Sequence, residues 1–168
     1  PGSDNLENLG KALPQTAEIL VLVAGKNGEL FGGTYPTGKI FRYHPKDGFS
    51  DVAGQIVNNE SYVRSLAYQA STGKLLAGVG SHAHLIEVDP EKNTKKELLP
   101  ISYQNREFVY YMGIAENVAD GDRLFAWVTD AKDRETLVYN LKTQKIEDTI
   151  ESIDAYAVLK SKNQNIIY

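Results

Sequence analysis

The 168-residue chain has no cysteine, a single methionine and a single tryptophan. The missing cysteine excludes disulfides, thiolate catalysis and cysteine-ligated zinc. Basic residues are in the minority, with 18 Lys and Arg against 22 Asp and Glu and a net charge of −4. A nucleic-acid binder needs a phosphate-neutralising basic surface, so no nucleic-acid partner is expected. No apolar run approaches the ~20 residues that span a bilayer, and no membrane partner is expected either. The opening "PGSDNLENLG" lacks the charged-then-apolar pattern of a secretion signal, and its "PGS" reads as a scar that an original signal would have preceded.

What is present is a repeat. "GELFGGTYPTGKIFRYHP" (Gly28–Pro45) aligns without a gap on "GKLLAGVGSHAHLIEVDP" (Gly73–Pro90), 45 residues later. Gly33 falls on Gly78 and Leu30 on Leu75, and the match extends backwards, placing Ala17–Asn27 on Tyr62–Thr72. A third copy follows in "FVYYMGIAEN", "GDRLFAWVTD" and "ETLVYNLKTQ", where Leu124 takes the place of Leu75. A fourth begins at "AYAVLKSKNQNIIY".

Each copy holds four short runs rich in β-branched and aromatic residues, separated by turn-forming "KNG", "PTG" and "KDG". The first run is nearly all apolar, as suits a strand buried on both faces. First strands are expected at 19–24, 63–68, 109–114 and 156–159. A four-stranded unit recurring every ~40–50 residues is the signature of a β-propeller blade. A β-sandwich accounts for short strands but not for an ungapped repeat. The expected fold is therefore all-β: a partial propeller of three to four blades in one domain. It divides into a blade tail at 7–16, blades at 17–58, 59–103 and 104–153, and an incomplete blade at 154–168. Such a chain is expected to be a fragment of a longer propeller or half of an intermolecular one, and its terminal blades invite self-association.

Blade topology places two kinds of loop on one rim: those between blades, and those joining second to third strands. The rim then gathers Tyr35, Tyr62, Arg64, His82, His84 and Tyr110, with Glu60, Arg106, Asp130 and Asp133 nearby. Tyr supplies a stacking plane, Arg a fork for carboxylate, and His a movable proton. This set suits an acidic oligosaccharide or polysaccharide. His82 and His84 of "HAH" are too few for a metal site, and neither a metal nor a cofactor is expected. The Tyr pair also suits packing, and Arg64 suits an interblade salt bridge as well as a channel lining. His44 of "RYHP" belongs to a turn at the opposite end.

"YVRSLAYQASTGKLLAGVGSHAHLIEVDP" resembles the repeats of large secreted bacterial β-propeller proteins that accompany polysaccharide degradation. "GTYPTGKIFRYHP" is similar to their "GTYP…G.L..YDP" wording, with His44 in place of the usual Asp. The resemblance implies an extracellular or cell-surface domain that recognises or handles carbohydrate, and it carries no catalytic residue. Two alternatives stand beside it. One is a polysaccharide lyase acting on uronic acids, with His82, His84, Tyr62 and Arg64 as candidate groups. The other is a protein-interaction scaffold.

Overall fold

The computed structural model describes residues 7–118 and 120–151. The expected fourth first strand, 156–159, lies outside the described residues. The fold is all-β: twelve strands and one short 3-10 turn at Ile101–Asn105. The strands form three successive antiparallel meanders. The first unit is β1 (Glu18–Ala24), β2 (Leu30–Tyr35), β3 (Lys39–His44) and β4 (Gly48–Gln55). The second is β5 (Tyr62–Gln69), β6 (Lys74–Gly80), β7 (His84–Asp89) and β8 (Thr94–Glu97). The third is β9 (Phe108–Val118), β10 (Gly121–Thr129), β11 (Arg134–Asn140) and β12 (Lys145–Glu151). A single pairing, Gly80 with Phe108, joins the second and third units at the edge of β6.

The register repeats with the sequence. Leu30 faces Tyr43 in the first unit, and Leu75 faces Val88 in the second, both partners being 45 residues on. The first strands depart from the ungapped alignment. Ile19 faces Thr34 and Val63 faces Val79, so β5 follows β1 at 44 residues, not 45. Between the equivalent pairs Ala24–Leu30 and Tyr68–Leu75 the chain has five and six residues, and this one-residue difference displaces the first strand's alignment by one.

Alternate side chains of β6 point to opposite faces. Leu75, Ala77 and Val79 enter a core with Phe31, Ile40, Val52 and Val63 of the neighbouring elements. Leu76, on the other face, enters a core with Val109, Met112, Leu124, Ala126 and Val128 of the third unit. Units one and two, and two and three, are thus packed face to face through their sheets.

Two glycines set how closely they pack. A Cβ at Gly33 would lie 2.5 Å from the Val63 carbonyl oxygen, and one at Gly78 would lie 2.5 Å from the Val109 carbonyl oxygen. The same small residue admits the next unit's first strand at both interfaces. The expectation that every first strand is buried on both faces fails for β1. Ile19 and Leu22 are about half exposed, because no described residue packs on the outer side of that sheet.

Candidate functional site

The first strands β1, β5 and β9 carry an irregularity at the same place. The register shifts between Ile19 and Val21, between Val63 and Ser65, and opposite Trp127 and Val128, which face Tyr111 and Val109. The extra residues are Leu20, Arg64 and Tyr110. A β-bulge bends its strand and re-aims a side chain. Here three successive bulges line one cleft of about 400 Å³, together with Val21, Ser65, Leu66, Tyr111 and Met112.

Within the cleft the Arg64 guanidinium carbon lies 4.1 Å from the centre of the Tyr110 ring. A cation over a ring gains roughly 0.5–2 kcal/mol. Among the described residues Arg64 has no carboxylate partner, so the salt bridge open to it in the sequence is not made. Other arginines are committed. Arg42 pairs with Glu29 and Glu91, and Arg123 with Asp120 and Glu147. Arg106 is held by Asp130, Asp133 and Glu135. Burial pulls the Arg106 pKa down, but the Asp130 hydrogen bond and the other two carboxylates outweigh it and leave it raised.

Beside the cleft runs a chain of rings. Tyr35 stacks on Tyr62 with centroids 4.5 Å apart. Tyr62 meets the edge of Phe108, Phe108 meets Tyr110, and Tyr110 meets Trp127 at 5.0 Å. The neighbouring Tyr35 hydroxyl raises the pKa of Tyr62 by hydrogen bonding, with burial second.

Local chemistry fixes this chain. Thr34 Oγ1 accepts from the Lys39 amide at 3.1 Å and closes the β2–β3 turn. The amide of Gly38 donates to the Ser61 carbonyl at 3.0 Å. Gly38 has φ of 58°, and a Cβ there would sit 2.2 Å from the Glu60 carbonyl oxygen, so only glycine fits. The bond sets Tyr35 against Tyr62. At the next interface the Ala83 amide donates to the Arg106 carbonyl at 3.0 Å, again 45 residues on at both ends. The second-to-third-strand loops and the loops between units therefore share one end of the molecule.

The structure brings Tyr35, Tyr62, Arg64 and Tyr110 into one linked group. His82 is at the same end, 68% exposed, with Nδ1 2.7 Å from the buried Glu60 carboxylate and its amide donating to the other oxygen. His84 starts the third strand of its unit. It bonds Glu97 at 2.6 Å on the outermost strand of that unit, away from the first strands. His44 is at the other end, 2.9 Å from Asp47. Phe108, Trp127 and Leu20 are members that the sequence reading did not single out. Trp127 could have been noticed, because it falls where the aligned copies carry glycine. Among the described residues no three His, Asp or Glu side chains are grouped to hold a metal ion, and no helix is long and apolar enough to cross a membrane.

Comparison with solved structures matches this arrangement to extracellular domains. One is the extracellular domain of BT4673 from B. thetaiotaomicron, described there as a one component system. It superposes with a TM-score of 0.54 at 18% identity over 89% of this chain. A second structure of a BT4673 extracellular domain, described as a hybrid two component system, gives 0.50 at 16% identity over 86% of this chain. The chain spans about a fifth of the length of each, 20% and 19%. At these identities the likeness is one of fold. No protein-family model matches the chain, and no curated protein matches it in sequence.

Proposed function

We propose that this chain is part of an extracellular β-propeller domain that recognises acidic oligosaccharides in the cleft lined by Leu20, Arg64 and Tyr110. The observation that carries the reading is Arg64. It is a guanidinium laid on an aromatic ring in the lining of a largely apolar cleft, with no carboxylate of its own among the described residues. A sugar carboxylate supplies the missing anion through charged hydrogen bonds, and the Tyr rings beside it offer stacking planes for pyranose faces. The fold-level likeness to extracellular domains supports the location, and the repeated four-stranded meander supports the propeller.

The test is calorimetric titration with uronate oligosaccharides and their neutral counterparts. The uronate is expected to bind, and the neutral sugar to bind less well. Arg64→Ala should weaken uronate binding by ~1.5–3 kcal/mol, the worth of a hydrogen bond to a charged group, while His44→Ala leaves it unchanged. Equal losses in the two variants, or equal binding of neutral and acidic sugars, would remove Arg64 from the site.

A further inference from the structure

The outer face of the first sheet is built as a unit–unit interface. Val63, Leu66 and Leu75 are 0%, 4% and 0% exposed because the first unit covers them, and Val109, Met112 and Leu124 are 0%, 3% and 0% exposed against the second. The register makes Ile19, Leu22 and Leu30 their counterparts in the first unit, since Ile19 faces Thr34 as Val63 faces Val79, and Leu22 faces Gly32 as Leu66 faces Ala77. Those three are 48%, 57% and 39% exposed. Apolar residues that are buried at two interfaces are thus presented a third time, in the same register, on a face that no described residue covers.

We infer that this face receives a further four-stranded unit of the same repeat, one whose second strand carries glycine where Gly33 and Gly78 stand. The glycine is required by the geometry. At both existing interfaces the position opposite Val63 or Val109 leaves no room for a Cβ. Among the described residues a second copy of this chain does not meet that requirement. The second strand of the third unit carries Trp127 at this position, facing Tyr111 as Gly78 faces Ser65. Two first-unit faces laid on each other would set Leu22 and Leu30 against themselves, with no glycine groove to receive either strand.

The absence of cysteine makes the face directly readable. Leu22→Cys should react with a maleimide at the rate of an open thiol in the native chain. A second copy of residues 18–61 inserted directly before Glu18 supplies a unit with Gly33 in place. In that extended chain the downstream Leu22→Cys should react at least about 100-fold more slowly, as buried sites exchange only through opening. Gly33→Trp in the inserted unit should restore fast labelling. Leu66→Cys, buried in both chains, reports that the fold persists. Unchanged labelling of Leu22→Cys in the extended chain overturns the inference. So does loss of Leu66→Cys protection, because a unit that fits does not unfold its neighbour. Labelling in the native chain that slows as protein concentration rises overturns it too, and assigns the face to a second copy.

Discussion

The first and second units have the same strand order and register, yet one sheet is buried on one side and the other on both. Leu30 and Leu75 are the same residue at the same place in the same strand, 39% and 0% exposed. The apolar pattern of a strand therefore records what the strand is built to face, while burial is decided by the neighbour that is there. Charge teaches the same lesson from the other direction. Glu29 pairs with Arg42 in the first unit, and Lys74 pairs with Glu87 in the second at 2.7 Å. These are the same two positions, 45 apart, with the signs exchanged. In these two units either strand can carry either sign, and in the third the same positions hold Arg123 and the uncharged Val138.

The turn after the third strand varies in identity and keeps its function. Asp89 Oδ1 accepts from the amides of Glu91 and Lys92 at 3.1 and 3.0 Å. Asn140 Oδ1 accepts from Lys142 and Thr143 at 2.9 and 3.0 Å. His44 Nδ1, at the position of Asp89 in the second unit, accepts from the Lys46 amide at 3.3 Å. Three different side chains each bond the amide two residues on.

Breaking an interface separates the units most sharply. Gly78→Val drives a side chain into the Val109 backbone and should cost about 3 kcal/mol or more in chemical denaturation. If it costs no more than a surface change, the close approach is not what holds the second unit to the third. Next come Leu66→Ala and its counterpart Leu22→Ala. The first should lose roughly 2–5 kcal/mol and the second no more than about 0.5. Equal losses would mean that Leu22 is as buried in solution as Leu66.

A smaller effect tests the exchanged charges. Glu29→Lys and Arg42→Glu should each destabilise the first unit, because position 29 is only 4% exposed and either change sets like charges against each other there. The double variant, which copies the polarity of the second unit, should recover ~1–3 kcal/mol of coupling in a double-mutant cycle. Additive losses would break the equivalence.

The smallest effect lies in the turns. Hydrogen bonding from the Lys92 amide, first among several causes, holds the Asp89 pKa below its ordinary value. A carboxyl whose pKa is depressed on folding contributes stability above its unfolded value of ~3.9, and that contribution fades as pH falls through the lower folded value. Melting curves between pH 5 and 2 should therefore show a shallower acid loss for Asp89→Asn than for the native chain. His44→Asp should raise the melting temperature at neutral pH by about 1–2 °C and add to the acid loss. A fall in melting temperature would show that His44 serves its turn better than the aspartate does.

Much of this was legible in the sequence because it rests on local chemistry. Strand periods, turn glycines and a 45-residue repeat are written in consecutive residues, and they place nine of the twelve strands within the quoted stretches, the outer strands β4, β8 and β12 following each copy. Tyr35, Tyr62, Arg64 and Tyr110 could be nominated from loop position alone. The one-residue offset of the first strands could not, since one residue fewer between equivalent pairs leaves the sequence similarity intact while moving every pairing.

The sequence by itself determined that the chain forms repeating four-stranded meanders, because side-chain alternation and turn propensity act over a few residues. Only the tertiary structure decided that Leu20, Arg64 and Tyr110 share a cleft, and that Arg64 rests on a ring instead of a carboxylate. Those facts depend on three bulges in strands 44 and 46 residues apart being stacked side by side. A bulge has no residue signature of its own. It arises where two strands of unequal count must still close their hydrogen bonds, and which side chain it turns inward is settled by the unit packed against it.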